Sequence, residues 1–306
     1  MAFTYSGVTY TGKEAATWYS KIVYGAPSLD LLGIMPNVKS KMQVPNLNAS
    51  NIIKAQTCNF TASGDVDADT RQIEVFGIDI NVEYCEEDLE SWFISEQMRP
   101  GSNNTGNFTP AELNDMILKV ITEKGAEETE FLIWQGDTLS LDPQLSILDG
   151  LEKLLAADVN VVSVVGVALT AANIITELDK VIAAIPGQMR RLRSREKVGI
   201  AVNQTTYALI IAGLNALVFN PTLLTTVPDM LERLGWKIYA VDGMSDDTMV
   251  FADFTRMWVG TDLVSDIRDL KVIPMSETTG DSKVRIKGRY KLGVQYAVSE
   301  EIVYYA

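Results

Sequence analysis

The chain has 306 residues, 47% hydrophobic and 22% charged, with a mean hydropathy of +0.07; this excludes a disordered or fibrous class and leaves room for one elaborated domain or two. Its 26 basic and 40 acidic residues give a net charge of −14, and it contains no histidine, so Ser-His-Asp, Cys-His and zinc-protease constellations are excluded by composition. The charge is uneven: residues 1–137 carry 9 basic and 20 acidic groups, a balance of −11, and the remainder carries −3.

The opening segment, MAFTYSGVTYTGKEAA, has neither a basic nor an apolar signal region, so no signal peptide is expected. A short helix, KEAATWYSKIV, between Gly- and Pro-containing loops reads as part of an extended arm. Strand material follows in KSKMQVPNL and NIIKAQTCNFTA, then a polar segment, GDVDADT (64–70), which reads as a hairpin tip, and then RQIEVFGIDINVEY (71–84). In that last run Ile73 and Val75 are odd while Ile78, Ile80, Val82 and Tyr84 are even, so the alternation changes phase at Phe76-Gly77, where a bulge would bend the strand. Glu86, Glu87, Asp88 and Glu90 read as the acidic start of a helix and residues 94–109 as a loop. Thr109-Pro110-Ala111-Glu112 supplies an N-cap, a proline at the first helical position and a capping-box glutamate. The helix predicted from there keeps apolar spacing through Trp134, places Glu123, Glu127, Glu128 and Glu130 on its outer face, and meets Gly136 as a C-terminal cap.

From about residue 145 helices and strands alternate: SILDGLEKLLAA, VNVVSVV, TAANIITELDKVIAAI, KVGIAV and QTTYALIIAGL, then shorter strands in WKIYAV, DTMVFAD and MWVGTD, and finally DLKVIPM, KVRIKGRYK and EEIVYY. The longest apolar stretch, 159–175, is broken by Asn160, Ser163, Gly166 and Thr170 and reads as a buried strand followed by a helix. Cys58 and Cys85 read as two free thiols.

Few motifs offer chemistry. Asp65, Asp67 and Asp69 begin like a calcium loop, but Thr70 and Phe76 stand where glycine and glutamate are required. No phosphate-binding, dinucleotide-binding or nucleophile-elbow pattern occurs. In KVRIKGRYK the cations Lys283, Arg285, Lys287, Arg289 and Lys291 occupy every odd position, one face of a strand. Such a ribbon can grip a polyanion, or it can meet the acids of residues 65–90, a segment with ten acidic groups and one basic group, Arg71. A second basic island contains Arg190, Arg191 and Arg193, just beyond a predicted helix end.

The order of elements resembles the major capsid proteins of tailed bacteriophages, the Hong Kong 97 fold family. The likeness rests on the arm, the long acidic hairpin, the capped helix ending EFLIWQGD, then ILDGL, IPGQMRRLRSREKVGIAVNQTTYALI and LERLGWKIYAVDGMSDDTMVFADFTRMWVGTD. It implies an α+β fold with an N-terminal arm (1–37), an extended E-loop β-hairpin (38–84), and a P-domain (85–144) with a spine helix over about 110–135 and a long antiparallel sheet. It further implies a mixed α/β A-domain (145–256) and a return to the P-domain sheet (257–306). The implied role is a shell of pentamers and hexamers around double-stranded DNA, contacted non-specifically, in a virion capsid assembled in the host cytoplasm. A portal protein and a separate scaffolding protein are expected partners, with a decoration or minor capsid protein as a further one; no enzyme activity, cofactor, metal or membrane is expected. Asp65, Asp67, Asp69, Glu74, the five odd-position cations and Arg190, Arg191 and Arg193 are the candidate subunit contacts. An encapsulin-like shell around cargo enzymes is the alternative, and a soluble nucleic-acid-binding protein using residues 283–291 is a weaker one.

Overall fold

The computed structural model describes residues 9–10, 26–50, 53–56, 64–85, 110–217, 231–262, 270–275, 279–281 and 283–306. The expected helix at 13–23, the acids at 86–90, the 94–109 loop, the Thr109 cap and Cys58 lie outside the described residues. In chain order the elements are β1 (Thr9–Tyr10), α1 (Ser28–Leu31), β2 (Gly33–Met35), β3 (Lys41–Ser50), β4 (Asp65–Glu74), β5 (Phe76–Cys85) and α2 (Pro110–Gln135). They continue with α3 (Leu151–Ala157), β6 (Val162–Val164), α4 (Ile174–Ala184), β7 (Val198–Val202), α5 (Gln204–Leu217), β8 (Leu231–Arg233) and β9 (Trp236–Ala240). The last are β10 (Met249–Asp253), β11 (Met257–Thr261), β12 (Leu270–Pro274), β13 (Lys283–Tyr296) and β14 (Val303–Tyr305).

Two compact units divide the chain. The first comprises residues 1–26, 77–129 and 262–292. Within it β12 lies between β1 and β13, antiparallel to both, and β5 also pairs with β13. The helix of this unit, α2, runs on to Gln135 over 26 residues, about 39 Å at 1.5 Å per residue. It stops where expected, but Gly136 has no left-handed backbone. A side chain there would come within 2.6 Å of the Leu148 carbonyl oxygen and 2.7 Å of that of Leu132, so the glycine is required by close packing of backbones.

The second unit comprises residues 27–76, 130–261 and 293–306. Its main sheet has the order β6-β14-β10-β7-β9-β8. The pairs β6/β14 and β7/β9 are parallel, and β14/β10, β10/β7 and β9/β8 antiparallel. Every residue of the central strands β7 and β10 is buried, as expected of VGIAV and MVFAD, apolar runs covered on both faces. Ile174, Ile175, Leu178 and Val181 line one side of α4 and join Val198, Ile200, Phe251, Val303 and Tyr305 in the core. The helix expected from Ser146 begins only at Leu151, because Gly150 is held by a 2.8 Å hydrogen bond from its N–H to the Gly136 carbonyl.

A separate two-stranded hairpin, β3/β4, runs in unbroken register from Lys41↔Glu74 to Ser50↔Asp65. This corrects one expectation: Asp65, Asp67 and Asp69 belong to a strand, opposite Ser50, Asn48 and Asn46, and the polar segment is not the tip. The phase change also resolves into a break, with Val75 between β4 and β5 donating its N–H to the Ser40 carbonyl at 2.9 Å. Burial follows the two phases, with Ile73 and Val75 inside before the break and Ile78 inside after it. At its root the hairpin seats Val44, Ile73 and Val75 against Val38 and Ala297.

Candidate functional site

Strand β13 separates its residues by parity. Val284, Ile286, Gly288, Tyr290 and Leu292 are buried, while Lys283, Arg285, Lys287 and Arg289 are exposed. On the buried side the Thr129 hydroxyl donates to the Gly125 carbonyl at 2.6 Å, which leaves its oxygen free to accept the Tyr290 O–H at 2.9 Å.

On the exposed side the acids come from β5. Asp79 and Glu83 are four residues apart in a strand and so share a face. Glu83 accepts from Lys283 Nζ and Arg285 Nε, both at 2.7 Å. Asp79 takes the Arg289 guanidinium in a two-pronged contact, Nε at 2.5 Å and Nη2 at 3.0 Å. These hydrogen bonds hold both carboxyls below the usual carboxylate range, Glu83 through Lys283 and then Arg285, and Asp79 through Arg289. Lys291 Nζ lies 3.0 Å from Asp262 Oδ2. On the next strand Lys271 stands directly across from Lys287, so like charges face each other along this sheet.

The Arg190 island does two local tasks. Arg190 donates from Nε to the Ile185 carbonyl at 3.3 Å and from Nη2 to that of Ala183 at 3.2 Å, covering the carbonyls at the end of α4. Arg193 lies over the turn at Gly235, where φ is +77° and an added side chain would strike the guanidinium. Arg191 is exposed.

Glu74, at the hairpin root, pairs with Lys41 at 3.0 Å. Beside it stands a cluster that sequence reasoning missed. Arg71 Nη2 donates to Asp158 Oδ2 at 2.6 Å and to Ser299 Oγ at 3.2 Å, and its guanidinium carbon lies 4.4 Å from the centre of the Tyr296 ring. The Tyr296 hydroxyl donates to the same Asp158 oxygen at 2.8 Å. Burial alone would raise Asp158, but the Asn160 N–H, Arg71 and Tyr296 together hold it below the ordinary range. Burial and the bond to Asp158 push the Tyr296 hydroxyl up to about 12.

Two buried carboxylates were also missed. Glu130, expected on the outer face of the long helix, is 1% exposed. It accepts the Ser28 N–H at 3.0 Å and the Ser28 hydroxyl, and the Trp134 indole donates to that hydroxyl at 2.6 Å. Glu152 accepts the Ser245 N–H at 2.7 Å and its hydroxyl at 2.6 Å. Burial raises both carboxyls above the ordinary range against these hydrogen bonds. Their partners lie 93 and 102 residues away in sequence, so no local pattern signals them.

No family model matches the chain, and no curated protein matches it. Solved structures do. The chain is similar to one described as the satellite phage P4 procapsid including size determination (Sid) protein, with a TM-score of 0.61 and 10% identity over 94% of this chain and 97% of that one. It is similar to a structure from Gordonia phage Cozz at TM-score 0.58 and 12% identity, over 90% and 84% of the two chains. A cyanophage A-1(L) capsid asymmetric unit gives 0.55 and 11% identity, over 91% of each. The chain has the fold of a tailed-phage major capsid protein.

Within this capsid fold the odd cations Lys283, Arg285 and Arg289 meet acids of the same chain, Asp79 and Glu83. Asp65, Asp67 and Asp69 stand in the far part of the hairpin strand β4. Among the described residues no group of three or more Cys, Asp or Glu side chains is placed to hold a metal ion, and no helix is long and apolar enough to cross a membrane.

Proposed function

We propose that the protein is the major capsid protein of a tailed bacteriophage, a subunit that self-assembles as pentamers and hexamers into an icosahedral shell around double-stranded DNA. The observation that carries this reading is end-to-end likeness to a procapsid structure, 94% of this chain against 97% of that one. In this reading β3/β4 is the E-loop, α2 is the spine helix and β13 belongs to the P-domain sheet. The mixed sheet β6-β14-β10-β7-β9-β8 forms the A-domain, and residues 1–37 form the arm. The work is mechanical and needs no catalytic group. The virion capsid is its location, the host cytoplasm its place of assembly, and a scaffolding protein and a portal its partners.

Asp65, Asp67, Asp69 and Glu74 on the hairpin and the odd face of β13 are the contacts proposed between copies, with the Arg190, Arg191 and Arg193 island as a further one. Charge matching of this kind sets register more than affinity. The test is purification of the expressed protein with its scaffolding partner. Closed particles in micrographs that protect double-stranded DNA from nuclease are expected. A species that stays monomeric or dimeric by light scattering under assembly conditions would overturn the reading, and particles holding a cargo protein would replace the genome by that cargo.

A further inference from the structure

A two-stranded ribbon standing apart from other sheets is marginally stable in water and has no neighbour along its edges to fix its direction. Among the described residues hairpin β3/β4 is such a ribbon, paired with no third strand, so its direction is set at its root. There the apolar contacts of Val44, Ile73 and Val75 are non-directional. Most of the directional side-chain contacts converge on Arg71. Arg71 joins β4 to Asp158, the residue that ends α3, and to Ser299, and lies over Tyr296 at the end of β13. A second contact repeats the connection one residue on, where Gln295 Nε2 donates to the Gln72 carbonyl at 3.1 Å.

We propose that Arg71, Asp158 and Tyr296 form a latch that fixes the angle of the hairpin, with Arg71 as the positioning residue. Lysine could supply the charge but not the plane. The guanidinium must donate to Asp158 and Ser299 from one nitrogen while stacking on the Tyr296 ring, a geometry that a point charge on a flexible stem does not hold. Asp158 is shared between Arg71 and the Tyr296 hydroxyl, so loss of one member loosens the other two. The side chains of Arg71 and Asp158 are 25% and 13% exposed, which shields the pair from the screening that weakens surface ion pairs. In a shell, which rests on the reading above, the angle held here would set how far one subunit's hairpin reaches and thus the curvature of the lattice.

The test is amide hydrogen exchange on dissociated subunits, so it needs no assembly. In Arg71→Met, amides of residues 42–50 and 66–74 should lose protection by about tenfold to a hundredfold, as expected for a lost charge-assisted hydrogen bond. Those of the central strands β7 and β10 should be unchanged. Arg71→Lys should fall between, and Tyr296→Phe, which keeps the ring, should cost the hairpin less than Arg71→Met. Unchanged hairpin protection in Arg71→Met, or an equal loss across the core strands, would overturn the latch. Shell formation is scored separately on the wild type by light scattering, so failure of the capsid reading is distinguishable from failure of the latch.

Discussion

Glu130 and Glu152 are carboxylates buried among backbone donors, each with its pKa raised by burial. A carboxyl whose folded pKa lies above its unfolded value binds its proton more tightly in the native state. Its stabilising contribution is therefore complete below the ordinary carboxylate range and is lost as pH rises through the raised value. Asp79, Glu83 and Asp158 have the opposite sign, because their lowered values add stability that disappears as pH falls through them. Glu152→Gln separates the two effects, since it leaves the lowered group untouched. The difference in unfolding free energy, variant minus wild type, should move in the variant's favour between about pH 4 and pH 8. Denaturant titrations at several pH values check it, and a flat difference would refute the assignment. A single substitution at Tyr290 probes an uncharged hydrogen bond: Tyr290→Phe removes the donor to Thr129 and should cost about 1 kcal/mol in the same denaturant titrations.

At the level of elements, two glycines near the hairpin root make opposite demands. An added Cβ at Gly293 would stand 2.0 Å from the Glu74 carbonyl oxygen and 3.0 Å from Val75 Cα. Backbone cannot yield as a side chain can, so Gly293→Ala should destabilise by about 1–3 kcal/mol or more. Gly77 has nothing within 4 Å of such a Cβ, and Gly77→Ala should stay within about 0.5 kcal/mol. Thermal unfolding of the two variants side by side measures the contrast, and equal shifts would contradict it. Periodicity makes much of this region legible in the sequence, because the switch from odd to even burial after Val75 and the odd-face cations of β13 are both consequences of a period of two. The Asp65–Thr70 stretch reads as a tip because aspartate favours turns, and only pairing with β3 overrides that preference. Strands β1, β2 and β8 span two or three residues each, too short for any alternation to show. The Arg71 latch joins positions 87 and 228 residues apart in sequence, a distance at which one sequence carries no signal.

For the whole molecule, charge is the dominant constraint on association. With a net charge of −14 per chain, copies repel one another at long range, and the assembly proposed above should accelerate as salt shortens the screening length from about 30 Å at 0.01 M to about 8 Å at 0.15 M. Against that background we propose the odd face of β13, with Lys271 opposite Lys287 on the adjoining strand, as the cationic surface to which an acidic element of another copy would be drawn. Arg285→Glu with Lys287→Glu takes the chain from −14 to −18 and places new acids beside Asp79 and Glu83. The variant should keep its circular dichroism spectrum and assemble with a threshold concentration raised about tenfold, equivalent to about 1.4 kcal/mol per subunit. Compensating reversals then locate the partner. Rescue by Asp79→Lys with Glu83→Lys means that the charges serve the sheet within one subunit. Rescue by reversing Asp65, Asp67 and Asp69 means that the hairpin of a second copy supplies the acids. Normal assembly of the unrescued double variant, with only DNA retention reduced, would show that this face meets nucleic acid and not protein.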